Sequence, residues 1–553
     1  MTPEPARGVT LRAVLAGAAL VAAISVVSPW AILAVKGSQL TSNAIPVIAV
    51  FLLFAVAALA QPLLRLLSRR LAFGRAELVT VYVMMLAGSV VVTTGLTGSF
   101  LSVISGAVYY ATPENNWENL FGPHLDPWLS PGDREAVRLF YEGLPRGMGI
   151  PWEAWTRPLA AWIGFLLVFY GVLFCLAVLL RGQWVENERL VYPLTRLPLA
   201  MVEDEDADRT LVGRLFRSRL MWLGFAVPLL LHTWNSLGNY SDLFQQVSLG
   251  DRYTVSRDVL SIPIRLNFPA LGLAYLMPLN VAFSIWFFFL FCQGERIAMA
   301  YAGVRIASGD VWTSGGAGPM ILAYQQAGAM MVFVLFLVWT ALPHIRGLWR
   351  QAMTGEPAGR RREVLPPRLA FAFLVSGVAF MVAWLTLTGL SLYVSAILVF
   401  GALGVFIGLS RVVAEAGLPG VQTPMVPQAF ITRGFGPEVL GLKNMTGLGL
   451  STVWMGETAA NMMNAAVHAL KLTSEEGQDR RYRGIPLVIA LAVCVGLAGS
   501  IWFTMRMAYT YGGINLHGWY YWGAPHWPFN YMAAVYNAPE PFLPRLGFTG
   551  FGA

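Results

Sequence analysis

Four side chains able to carry protons or grip a polar solute, Glu457, Asn461, Asn464 and His468, lie within the stretch WMGETAANMMNAAVHALK at 454–471. Their offsets of 0, 4, 7 and 11 place them in a fan of about 60° on one side of a helix that turns about 100° per residue. A carboxylate that titrates, two amides that ligate neutrally and an imidazole make a path for a proton or a small polar solute. On that reading Glu457 is the titrating group and the asparagines are neutral ligands. His468, beside Lys471 and a basic loop, serves as a gate or reaches for the surface. The alternative is a static hydrogen-bonded seam between helices.

Other polar groups interrupt apolar runs in the same way. VVAEAGLPG sets Glu415 just before a break at Gly417, Pro419 and Gly420. A proline there removes a donor and clashes with the preceding turn. LLLHTWNSLGNY puts His232, Asn235 and Asn239 on one helical face, and IWFTMRMAY carries Arg506 near the end of its run. Ionisable groups at membrane depth face a cavity or a partner, because hydrocarbon solvates them poorly. Arg506 also has the option of snorkelling to the interface.

These groups need a scaffold, and composition says which. Of 553 residues 56% are hydrophobic and 12% charged, against about 25% charged in soluble domains. Apolar runs recur at 13–35, 45–67, 159–180, 330–345, 369–390 and 485–503, each of the order of the 20 residues a helix needs to cross a bilayer. The expected fold is all-α and polytopic, with about 12–13 membrane segments, some of them broken or re-entrant where prolines cluster. Parity of crossings demands two passes within 258–303, or one pass there and a re-entrant piece elsewhere. The first run, with Pro29 and Trp30 inside it, reads as a retained helix rather than a signal peptide.

The net charge of +8 is arranged for membrane orientation and gives no reason to expect nucleic acid. Loop 346–368 holds six arginines and two glutamates, loop 65–75 four arginines, and 471–483 is again basic, whereas 112–157 has seven acids and four bases. The positive-inside bias puts the first three in the cytoplasm with the N-terminus, and 112–157 outside. The expected location is a bacterial cytoplasmic (inner) membrane. The chain divides into N-terminal transmembrane helices (1–110), an external loop with a short helix (111–157) and a central bundle (158–345) that includes a cytoplasmic loop at 181–218. A basic loop (346–368), a C-terminal bundle (369–508) and an external aromatic-rich segment (509–553) complete it.

Enzyme signatures are missing from the sequence. It has no phosphate-binding glycine loop, HExxH or nucleophile elbow, and its six histidines and three cysteines are scattered. No catalytic residue, metal or cofactor is expected. Glu186 and Glu188 beside Arg189 are the one crowded cytoplasmic group, and they read as partly ion-paired.

The segment LLRGQWVENERLVYPLTRLPLAMV (179–202), with Leu190, Tyr192 and Pro193 leading into a new helix, resembles the oligopeptide transporter superfamily, as does EAGLPGVQTP (415–424). That resemblance implies a proton-coupled importer of short peptides or metal chelates, with protons, solute and lipids as partners and room for a homo-oligomer. It also implies further helices beyond the terminal GFTGFGA. A non-transporting structural or assembly protein, or an integral membrane enzyme, are the readings that compete with a secondary transporter.

Overall fold

The apolar runs become helices long enough to cross a membrane. The computed structural model describes residues 9–203, 211–256, 260–303, 320–355, 364–474, 482, 484–539 and 543–553. Among these, eight helices have the length and composition of membrane spans. The protein is a largely α-helical, membrane-embedded chain.

Its first unit is three helices in close contact. Helix α1 (Leu11–Ala34) is followed by α2 (Val47–Leu67) and by α3 (Arg75–Ser89), which is buried along nearly its whole length. Gly17 of α1 leaves room for Met84, and Gly88 of α3 for Val21. Small residues at such contacts let helices approach where no hydrophobic drive separates protein from lipid. Arg12 binds Glu77 through both carboxylate oxygens at 2.5 and 2.6 Å, and Thr10 and the Gly74 N–H add further bonds. Glu77 is buried and Arg12 about half exposed. Arg12→Ala is expected to cost about 1–2 kcal/mol, an ion-pair value discounted for the exposed partner. A chemical-denaturation midpoint in detergent reads this, and an unchanged midpoint would show the pair to be incidental.

Helix α4 (Thr97–Tyr109) continues from α3 after an interruption at 90–96, and leads to a loop that contains α5 (Arg134–Glu142). Asp133 caps α5 by accepting from the N–H groups of Glu135 and Ala136. The Arg138 guanidinium, 2.7 Å from Glu135, holds that carboxyl below its usual range. This contribution is present at neutral pH and is lost as the pH falls through the carboxylate range.

Helix α6 (Trp152–Asn187) then spans the molecule, and the short α7 (Pro193–Val202) follows it. The next stretch departs from expectation. After α8 (Arg219–Leu237) come two antiparallel strands, β1 (Gly250–Ser256) and β2 (Leu260–Arg265), then α9 (Phe268–Tyr275) and α10 (Leu279–Tyr301). The strand pair departs from an all-α fold, and 258–303 supplies one strand, one short helix and one long apolar helix, so of the two expected arrangements it has the single span and not two. Tyr253, Ile262 and Ile264 fall in a β-branched and aromatic run, which suits a pleated pair better than a helix.

Helices α11 (Met320–Thr354), α12 (Pro367–Leu387) and α13 (Leu392–Ala416) pack around α6. Gly171 and Gly377 sit where Phe373 and Val172 fill the α6–α12 contact. Helix α14 (Pro427–Leu450) is folded back on itself at Gly436 and Gly441, both at positive φ, with Pro437 between. A straight helix of 24 residues would measure about 36 Å, yet the Gln428 amide bonds Ser451 at 2.9 Å. Helix α15 (Met462–Ser474) and α16 (Ile485–Tyr511) follow. Residues expected to stand outside the bundle turn back into it as α17 (Ala524–Asn537), whose Phe529 and Met532 are fully buried beside α14. Helix α18 (Leu543–Gly552) lies on α11, where Gly328 and Gly552 bring backbones together.

The start of α1, the basic segment 65–75 and Gly484 meet at one end, where Arg12 also bonds the Arg70 carbonyl and Val9 approaches Gly484. Leu144 of the acidic loop donates to Tyr509 at the other end. Positions 356–363 of the arginine-rich loop, 204–210 of the acidic patch and most of 475–483 lie outside the described residues.

Candidate functional site

The stripe at 454–471 is not one helix. A short helical turn ends at Met455, residues 456–461 are outside any helix, and α15 begins at Met462. Asn461 is the reason. Its Oδ1 accepts from the Asn464 N–H at 2.9 Å and its amide donates to the Thr458 carbonyl at 2.8 Å. It thus caps the new helix three residues before Asn464, the geometry asparagine favours at helix starts. Glu457 lies inside the break, not on a helical face.

Glu457 is wrapped by donors. The Ala459 N–H bonds its carboxylate at 2.8 Å, the N–H groups of Thr458 and Ala460 also point to it, and the Gln422 side chain adds a fourth bond. Gln422 belongs to a second interruption, residues 417–426 between α13 and α14. There Gly417 adopts φ +71° and ends α13, with Pro193 of α7 packed so close that no side chain would fit. Thr423 donates its N–H to Thr458 Oγ1 at 3.2 Å, and the Pro419 carbonyl accepts from Ala44 at 2.7 Å.

The third interruption, 90–96, meets the same place. Gly95 faces Ala460, and Thr94 Oγ1 lies 3.0 Å from the Tyr520 hydroxyl, which is within electrostatic reach of Glu457. Thr93, at φ +50°, is held by Ser28 at 3.1 Å and by Thr97 at 2.8 Å, and Thr97 reaches Ser500 at 2.6 Å. Thr41 bonds the Val92 carbonyl at 2.9 Å. Backbone freed from helical pairing at such depth is tolerated only where other groups satisfy it or a cavity receives it. Here hydroxyls do most of that work. Gly456, Gln422 and Gly420 are nevertheless exposed, and Glu457 is partly so, so the junction is open on one side.

From this junction a polar line descends α15. Asn464 and His468 are fully buried. His468 Nδ1 lies 2.8 Å from the Asn464 carbonyl, and its ring meets Tyr192 edge-on at 5.5 Å. Asn464 Oδ1, His468 Nε2 and Trp454 Nε1 find no partner among the described residues, so the line keeps unused hydrogen-bonding capacity. It ends near Lys471, which lies over Tyr192 at 5.8 Å. Tyr192 in turn donates its N–H to Ala414, next to an ion cluster. In that cluster Arg411 pairs with Glu188 and with Glu415 and covers the Trp184 ring.

The other candidates are elsewhere. Glu415 belongs to this ion cluster at the end of α13 and not to the Glu457 junction. Asn239 lies beyond the end of α8, so the expected common face with His232 and Asn235 is corrected. Asn235 instead bonds both backbone groups of Val247, closing a turn, and His232 packs on Phe268. Arg506 is exposed and lies over Trp502 at 5.6 Å. Gln422, Thr94, Thr458 and Tyr520 escaped the sequence reading, although VVTTGLTGS at 91–99 carries an unusual density of hydroxyls and glycines for an apolar run. Among the described residues no group of three or more His, Cys, Asp or Glu is placed to hold a metal.

No curated protein matches the sequence. Over residues 3–553 it matches a family of unknown function, DUF6785, which covers almost the whole chain, junction and ion cluster included. The chain belongs to the DUF6785 family.

Proposed function

We propose that this protein is a secondary transporter, proton-coupled, for small polar solutes of the peptide or chelate class, with Glu457 at its centre. The observation that supports this most directly is the meeting of three interrupted segments, 90–96, 417–426 and 456–461, around one carboxylate on a partly exposed residue. Interrupted helices supply free N–H and C=O groups that grip a solute, and a carboxylate beside them supplies a titratable charge. The buried line through Asn464 and His468 joins this centre to the basic end, which the arginine distribution assigns to the cytoplasm. The likeness of 179–202 and 415–424 to oligopeptide transporters agrees with the substrate class.

The test is uptake into proteoliposomes under an imposed proton gradient, with a panel of short peptides and metal chelates. The expected result is accumulation of a subset of the panel only when the outside is acidic. Flux that is absent for the whole panel under either gradient would refute coupled transport of this class. The architectural reading has one observation in its favour, the four donors already spent on Glu457; it predicts a protein that carries no solute and falls apart when Glu457 is changed.

A further inference from the structure

We infer that the Glu457 junction is the polar half of an amphiphile site whose apolar half is a groove between α11, α13 and the first arm of α14, taking a single hydrocarbon chain with a neutral or cationic, hydrogen-bond-donating head. This rests on the reading of the junction as a binding site. The groove encloses about 500 Å³, within the range of about 300–1,000 Å³ common for ligand pockets. Its floor is Met425, Val426 and Ile431, all buried, and its rim is Met331, Leu335 and Ile397, all exposed. Both long walls belong to helices with the composition of membrane spans, so the rim opens onto hydrocarbon.

Three features favour a chain that extends to the junction over lipid that only brushes the surface. Gly401 and Gly404 of α13 keep the groove deep, since a side chain at either would project into it. Methionines at 330, 331 and 425 give a wall that adapts to a flexible chain. The groove also ends at Thr423 and Pro424, and Thr423 is bonded to Thr458 while its neighbour Gln422 is bonded to Glu457. The polar end therefore adjoins the Glu457 carboxylate through Thr423 and Gln422. Among the described residues named at this junction none is basic, which disfavours an anionic head.

The experiment uses the full chain in lipid nanodiscs with two photoreactive probes, hexadecylamine and palmitate, each bearing a diazirine in mid-chain. Crosslinked residues are located by peptide mass spectrometry. The amine is expected to label 327–335 and 397–405 in preference to the exposed Leu487 and Trp502 on α16, and unlabelled hexadecylamine should compete. Gly404→Leu places a side chain in the groove where a Cβ meets only Val334, at 3.6 Å, so the fold accommodates it. Labelling should then fall about tenfold, as expected for loss of one desolvated apolar contact. Val334→Trp is the second block, and a melting curve checks that both variants fold. Glu457→Gln should reduce amine labelling to the palmitate level. Labelling indifferent to both blocks, or equal for amine and palmitate in the unaltered protein, overturns the inference. Because the readout is binding, an amine held in the groove by a protein that moves no peptide or chelate would retain the site and refute only the transport reading.

Discussion

Glu457→Gln is expected to abolish proton-driven uptake while lowering stability by only about 1 kcal/mol, the order of one altered hydrogen bond. The present carboxylate accepts from three backbone N–H groups and the Gln422 side chain. A glutamine keeps one oxygen for Ala459 but turns an NH₂ group towards donors, so part of the wrapping is lost. That loss alone is modest. What disappears entirely is the titratable charge, and coupling requires a group that binds and releases a proton in each cycle. Glu457→Asp keeps the charge on a shorter arm and is expected to retain reduced, still pH-dependent, uptake. Initial rates in proteoliposomes at several external pH values, for the solute the panel identifies, measure this alongside a melting curve. Glu457→Gln vesicles that accumulate solute at the parent rate with the parent pH profile would remove Glu457 from the mechanism. A collapse of folding in both variants would favour the architectural role.

Gly496→Leu is expected to destabilise the protein by about 3 kcal/mol or more, the upper range for overpacking a dense interior. A Cβ at 496 would lie 2.7 Å from the Gly88 carbonyl oxygen and 3.0 Å from a Val91 methyl. The first contact is backbone, held in α3, and it cannot rotate away. Helices α3 and α16 must therefore separate. The effect reaches the junction, because Ser500, one turn beyond 496, holds Thr97 at the start of α4. Uptake should fail even in the fraction that folds. Gly496→Ala should show a smaller loss of the same sign, and Gly164→Leu, whose added Cβ meets nothing within 4 Å, should be neutral. Denaturation midpoints in detergent compare the three. Equal midpoints for Gly496→Leu and the parent would show that the two helices do not touch as described.

The spans were legible because burial in lipid demands long apolar runs, and those at 13–35, 45–67 and 485–503 reappear as α1, α2 and α16, the first two with ends displaced by at most two residues and the third extended to Tyr511. The stripe was legible as a cluster and misread as one face of a continuous helix. A capping asparagine reaches the N–H three residues ahead, so cap spacing imitates the spacing of a helical face, and Asn461 with Asn464 satisfies both patterns. The hairpin at 250–265 is hidden for a different reason: the parity of crossings asks for membrane helix from 258 onward, and a short β-branched run does not announce itself against that demand. Glu188 and Arg411 are 223 positions apart, and no local pattern announces such a pair. Gln422 was passed over because a neutral amide in a proline-rich stretch carries no charge signal, and only the fold brings it to Glu457.

The folded-back α14 has a consequence for biogenesis. Its arms on either side of Gly436 and Gly441 are each too short to span a bilayer, and Arg433, Glu438 and Lys443 lie along it; α14 is not among the helices with the composition of a span. Membrane insertion reads apolar length and rejects charge, so this stretch lacks the means to enter as an independent unit when it leaves the ribosome. It can settle only against neighbours already in place, and the Gln428–Ser451 bond that closes it forms within protein. The junction at 417–461 is thereby assembled late, after the flanking helices have built a compartment for it, and its polar groups fold into protein without first being exposed to lipid.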